Sequence, residues 1–249
     1  MKKILWSIGI GLVVLIVIAA IVVSVFLDGI VKTGVETVGP KITGVSIKLD
    51  EIHISLLTGS AKVKGLVVVN PDSYKTPNAI SVGLAEVGVN PLSVLSDKIV
   101  VRSIHVESPE ITFEGGLGGN NLSKIMDNVN ATAQNGGPAT TNTAAKTKPA
   151  KKIEVDDFLI TGAKVHVSLT GLGGKEMTLP LPDIHLTDLG KGGDGLTATD
   201  LTRAVLQAIT TATVKAVANG ATDIGKGVEN LGGTGVNKLK QGIGGLFGK

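Results

Sequence analysis

The sequence predicts a mainly β protein with helices, in which a strongly curved sheet follows an N-terminal transmembrane helix. Three observations carry this. An uncharged apolar run of 24 residues, Ile4 to Leu27, follows Lys2 and Lys3. A spacing of apolar residues at relative positions 0, 2, 5 and 7 recurs from Ile47 to Leu186. Two stretches, near 121–130 and 199–219, switch instead to helical period.

The apolar run matches a bilayer core of roughly 30 Å at about 1.5 Å per residue. A cleaved signal peptide has a shorter apolar region, about 7–15 residues, and a small-x-small exit. Here Phe26, Leu27 and Asp28 follow instead. Residues 1–27 therefore read as an uncleaved signal anchor, entered at Ile4, Leu5 and Trp6 and left at Leu27. The lysine pair keeps the N-terminus cytoplasmic and puts residues 28–249 across the membrane.

Residues 28–44 form a neck, helical or irregular, that breaks at Gly39-Pro40. A first β group occupies 45–130 and closes with a short helix in "NNLSKIMDNVNAT". There Leu122, Ile125, Met126 and Val129 share one face, with Asn120 or Asn121 as cap. Residues 131–152 are polar, rich in Ala and Thr, with four lysines, and read as a flexible insertion. A second β group spans 153–190. Within 191–220, Thr199 caps a helix striped by Leu201, Val205, Ala208, Ile209 and Ala212 and stopped at Asn219-Gly220. The Gly-rich tail 221–249 keeps helical spacing at Val236, Leu239, Ile243 and Leu246, yet its glycines make it a weak helix on its own. It would gain order only against a surface, either the membrane or the end of the sheet.

The recurring spacing is the main clue to the sheet. Ile47, Leu49, Ile52 and Ile54 flank Asp50-Glu51, and Ala61, Val63, Leu66 and Val68 flank Lys64-Gly65. Val82, Leu84, Val87 and Val89 repeat it, as do Ile99, Val101, Ile104 and Val106. Ile153, Val155, Phe158 and Ile160 follow, then Leu179, Leu181, Ile184 and Leu186. Strand side chains alternate faces, so a step of three changes parity. A one-residue bulge restores the apolar face and bends the strand. Repeated bulges predict a curved sheet with one apolar concave face; tight turns between short strands of a sandwich are the alternative. Such a face is either closed by the helices or left open to apolar guests.

Composition excludes several functions. There is no Cys, so no disulfide, thiolate metal site or thiol nucleophile. A net charge of +3 does not argue for nucleic acid. His53, His105, His166 and His185 alternate with apolar residues and so point away from the apolar face, and no metal site is expected. "GATDIGKG" (220–227) mimics a phosphate loop but follows a helix and lacks Ser or Thr after Lys226. The carboxylate pairs Asp156-Asp157 and Glu107/Glu110 fit bends or edges better than acid–base work. No catalytic residues and no cofactor are expected.

The chain resembles the AsmA-like family, relatives of TamB and the bridge-like lipid-transfer proteins. The resemblance lies in the anchor and neck, in "VGPKITGVSIKLDEIHISLLTGSAKVKGLVVVNPDSY", in "AISVGLAEVGVNPLSVLSDKIVVRSIHVESPEITFE" and in "NNLSKIMDNV". "IEVDDFLITGAKVHVSL" and "MTLPLPDIHLTDLG" look like the family's second strand group. It implies a taco-like antiparallel β-sheet with an apolar trough, held on the periplasmic side of a bacterial cytoplasmic membrane. It also implies a lipid-handling or envelope-assembly role. The partners would then be membrane lipids, through phospholipid acyl chains, with envelope proteins or self-association as further possibilities. The candidate lipid contacts are the inward apolar residues Ile99, Val101, Ile104, Val106, Ile153, Val155, Phe158 and Ile160. The rival reading is a structural adaptor with a sealed core that binds partners through edge strands.

Overall fold

The computed structural model describes residues 23, 26–116, 119–136, 151–168 and 176–230. The predicted span, including Ile4, Leu5 and Trp6, lies outside the described residues apart from Val23, Phe26 and Leu27. So do residues 137–150 of the insertion and 231–249 of the tail. Among the described residues, no helix is long and apolar enough to cross a membrane.

The neck is a helix, α1 (26–43), that continues through Gly39-Pro40 instead of breaking there. Strands β1 (Ile47–Ser55), β2 (Ser60–Val69) and β3 (Asn78–Val89) follow as an antiparallel meander. A 3-10 turn (Pro91–Leu95) leads to β4 (Lys98–Glu107), β5 (Glu110–Gly116) and the short β6 (Gly119–Asn120). Helix α2 (Asn121–Gln134) comes next, with Asn120 as the cap accepting from Ser123 N at 2.9 Å. The chain resumes with β7 (Lys152–Thr161), β8 (Lys164–Ser168), β9 (Glu176–Pro180) and β10 (Ile184–Leu189). Helix α3 (Ala198–Asn230) starts at Thr197, whose hydroxyl accepts from Asp200 N at 3.0 Å, not at Thr199. It also runs past Asn219-Gly220, the expected stop.

The ladders join across the short breaks. β4 and β5 both pair antiparallel with β3, and the register is the same on either side of Ser108-Pro109. β7 and β8 run beside them in one parallel register, Ile99 opposite Ile153 and Ile111 opposite Val165. β9 and β10 likewise share one antiparallel register against β8 and β7. One open sheet therefore holds six rows of strand. The sheet is mixed, not wholly antiparallel as the family resemblance implied. The parallel β4–β7 pairing follows from the long connection through α2, which returns the chain to the starting end of β4.

The parity changes are real, and a bulge accompanies one of them: against β3, Gly88 pairs with Ser103 and Val89 with Val101, so Arg102 is the extra residue where β4 changes parity. At the other changes along these rows the register holds. In β1 the change falls at Asp50-Glu51, opposite Lys64-Gly65 of β2, and the register is unshifted there. The line continues through Gly83-Leu84, Glu107-Ser108, Thr161-Gly162 and Pro182-Asp183. Every row breaks at the same level, so each neighbour matches the other's turn. Gly65, Ser108 and Gly162 take φ of 62°, 47° and 64° on this line. At Gly65 only glycine fits, since a Cβ would sit 2.0 Å from Asp50 Oδ2. A second line crosses Arg102-Ser103, Asp156-Asp157 and Thr187-Asp188, with Asp188 at φ 55°. The sheet is thus creased along two lines, and its apolar residues stay on one face. In β3 the inward set is Ile80, Val82, Ala85 and Val87, two residues earlier than the spacing suggested. The register shifts that do occur lie at Val68/Val69 and Gly88/Val89.

Helix α1 guards the free edge of β1. Asp28 Oδ1 accepts from Ile54 N at 2.7 Å, Lys32 Nζ donates to Asp50 O at 2.8 Å and Glu36 Oε1 accepts from Leu49 N at 3.0 Å. These three residues are spaced by four and share one helix face. They satisfy strand groups that would otherwise recruit another strand. α1 is fixed at its other end by α2, where Asn128 Nδ2 donates to Thr43 O at 2.9 Å.

Candidate functional site: the creased apolar face

The eight candidate contact residues lie on one face as four cross-strand pairs. Ile99 faces Ile153, Val101 faces Val155, Ile104 faces Phe158 and Val106 faces Ile160. Their row extends into Ile111–Val165 and Phe113–Val167. The face is covered. Val155 is 1% exposed, Ile160 2% and Val101 8%, while Ile99, Ile104 and Ile153 are half-buried. They belong to one core with Leu122, Ile125 and Val129 of α2 and Leu206, Ile209 and Val217 of α3.

The cover is uneven. α2 contributes large aliphatic side chains. α3 meets β9 and β10 with small ones, and an open groove of about 770 Å³ runs between them. Leu179, Pro182 and Ile184 form its sheet wall, and Ala204, Ala208 and Ala212 its helix wall. Gln207, Lys215 and Asn219 bring polar groups to the same groove. Within α3, the buried hydroxyls of Thr210 and Thr213 have no hydrogen-bond partner among the described residues. Each such hydroxyl lowers the net gain from docking the helix.

A polar knot fixes the far end of the sheet, and sequence reasoning missed it. Asn121, fully buried, donates through Nδ2 to Asn70 Oδ1 at 2.7 Å and Thr112 O at 2.8 Å. Its Oδ1 accepts from Glu114 N at 3.0 Å. Asn70 donates to Thr76 Oγ1 at 2.6 Å, and the Glu114 carboxylate accepts from Lys75 N and Thr76 N, both at 2.8 Å. Burial alone would push the Glu114 carboxyl up, but these donors outweigh it and hold it below the usual carboxylate range. The signal was present in the dipeptides Asn70-Pro71 and Asn120-Asn121, which mark a turn and a helix start.

The histidines lie apart from this face. His53 approaches Asp28 at 3.6 Å, His105 bonds Thr161, His166 bonds Thr178 and His185 meets Asp157 at 2.5 Å. Among the described residues, no group of three His, Asp or Glu is placed to hold a metal. Residues 220–227 are helical, so no phosphate loop forms there.

An apolar sheet face, covered by two helices and preceded by a helical neck, defines a mainly β scaffold among the described residues. The model of the AsmA family matches residues 1–173, well over half of the chain, and the protein belongs to that family. No curated protein and no solved structure matches the chain. The AsmA family is envelope-associated, which sets a broad role: membrane-associated, and concerned with the envelope and its lipids. The matched region ends before β9, so the groove wall and α3 lie beyond it.

Proposed function

We propose that this protein is a non-enzymatic, singly anchored envelope protein that takes lipid acyl chains against its creased apolar face. The anchor is residues 1–27, with the N-terminus cytoplasmic and the sheet periplasmic, as Lys2 and Lys3 before an uncharged run favour. The observation that carries the reading is the groove between α3 and the β9–β10 edge. Its volume of about 770 Å³ falls in the ordinary range of ligand pockets, roughly 300–1,000 Å³. An acyl chain would lie on Leu179 and Ile184 beside Ala208 and Ala212. A phosphate headgroup would meet Lys215, with Gln207 and Asn219 as donors. The deeper contacts, Val101, Val155, Phe158 and Ile160, become available only when α3 shifts outward. Such a shift lets the unpartnered hydroxyls of Thr210 and Thr213 meet water, which offsets part of the cost of exposing Leu206, Ile209 and Val217.

The adaptor reading loses ground at one edge, because α1 already occupies the strand groups of β1. At the other edge Pro180 and Pro182 remove two backbone donors. The test is native mass spectrometry of the full chain after gentle extraction. Wild type should retain phospholipid. Ala208→Phe should fill the groove, lower lipid occupancy several-fold and leave the melting temperature close to wild type, because it enters open space. Equal lipid in a folded Ala208→Phe variant would contradict the reading.

A further inference from the structure

The large hydrophobic residues that stay exposed among the described residues are Val23, Phe26, Ile30, Leu57, Leu92 and Leu95. They come from three separate segments, and the fold gathers them at one end. α1 runs antiparallel to β1, with Asp28 level with Ile54, so Phe26 and Val23 lie level with and beyond the β1–β2 turn. Leu57 sits on that turn and is 66% exposed. The 3-10 turn carrying Leu92 and Leu95 is tied to the same place: Val89 N donates to Gly59 O at 2.7 Å, and Arg102 Nη2 donates to Val89 O at 2.8 Å. Leu92 and Leu95 are 81% and 89% exposed, and residues three apart in a 3-10 turn project from the same side.

No packing reason accounts for these leucines. The turns are well formed without them: Asn90 Oδ1 accepts from Leu92 N at 3.2 Å, and Ser93 Oγ donates to Asn90 O at 2.6 Å. Lys151 Nζ donates to Val94 O beside them, and Lys98 and Lys152 stand opposite each other on β4 and β7. Asp97 is exposed in the same region, so the end is not simply cationic. Its distinguishing property is projecting apolar tips at the end where the chain rises from residues 4–27.

We infer that this end is a membrane seat: Leu57, Leu92 and Leu95 insert into the headgroup–acyl boundary of the bilayer that the anchor enters. The occupant is the lipid surface itself, because the apolar stripe Val23, Phe26 and Ile30 continues the predicted span into the same end. The inference rests on the anchored reading above. Its consequence is orientation: four tethers, one span and three leucines, would hold the rows of the sheet at a fixed angle to the membrane, with the Asn70–Asn121 knot pointing away.

The chain has no cysteine, so single labels can be placed without background. Leu57→Cys, Leu92→Cys and Leu95→Cys, each carrying an environment-sensitive fluorophore, are reconstituted as full-length protein in phosphatidylcholine/phosphatidylglycerol vesicles. Asp72→Cys, in the loop at the knot end, and Ile16→Cys, within the span, serve as references. The three leucine positions should be quenched by nitroxide lipids several-fold more than position 72. Circular dichroism checks that each labelled chain is folded, which is expected because all three sites are exposed. Quenching at 16 with none at 57, 92 and 95 would overturn the seat while leaving the anchor standing. Absence of quenching at 16 would instead defeat the anchored reading. A blue shift at 95 that needs high protein density and no quencher contact would assign the leucines to a second copy of the chain and overturn the membrane seat.

Discussion

Val155→Asp is expected to unfold the protein. Val155 is 1% exposed and faces Val101 across β4–β7. A carboxylate there has no donor within the apolar face, and an uncompensated buried charge costs several kcal/mol or forces its own protonation. Whole-domain stabilities are only about 5–15 kcal/mol, so one such change removes most of the margin. Loss of the cooperative thermal transition is the expected readout. Leu95→Asp is the control: at 89% exposed it should leave the melting temperature nearly unchanged. A folded Val155→Asp with wild-type melting would mean that α3 does not cover the face in solution.

The second large effect is expected at the knot. Asn121→Leu removes bonds to Asn70, Thr112 and Glu114 and leaves three polar groups without these partners, one buried and two partly buried. At about 1–3 kcal/mol for each orphan, a loss of about 4 kcal/mol is expected in denaturant titrations. Glu114 in the same network adds a pH dependence. Its carboxyl is held low, so its contribution is complete above the unfolded value, about 4.3, and is lost as pH falls through the lower folded value. Glu114→Gln should therefore be less stable than wild type at neutral pH, with the gap closing in acid. A gap that widened in acid would contradict the assignment of those donors to the ionised carboxylate.

Much of the sheet was legible because one face must stay apolar. Alternation broken by steps of three located the inward residues of β1, β2, β4, β7 and β10, since any other choice buries Asp50, Lys64 or Asp156. β3 misled because Leu84 and Val89 extend the same spacing by chance, while the buried residues include Ala85, too small to stand out. The mechanism of the parity change was legible only in part: the expected bulge occurs at Arg102 of β4, and the other rows change parity in unshifted register. A bulge and a crease leave the same trace in one strand, and only the ladder shows that neighbouring rows break together. Parallel pairing of β4 with β7 was hidden for a related reason: spacing within a strand carries no direction. The knot escaped because asparagines at a turn and at a cap each have a sufficient local explanation. α1 was read too short because Pro40 and Gly39 are helix breakers by propensity. The contacts of α1 with β1 and α2 override them and offset the one intrahelical bond that Pro40, without an N–H, cannot donate to the carbonyl of Glu36.

The central claim is that acyl chains reach the creased face beside α3, and photo-crosslinking tests it most directly. Full-length protein is assembled in membranes containing a phospholipid with a diazirine on its acyl chain, irradiated and mapped by peptide mass spectrometry. The account predicts adducts on the groove walls, at Leu179, Ile184, Ala208 or Ala212, in addition to those on residues 4–27. These groove adducts should disappear in Ala208→Phe. Adducts confined to the span and to the turns at Leu57, Leu92 and Leu95, with none between α3 and the β9–β10 edge, would contradict it.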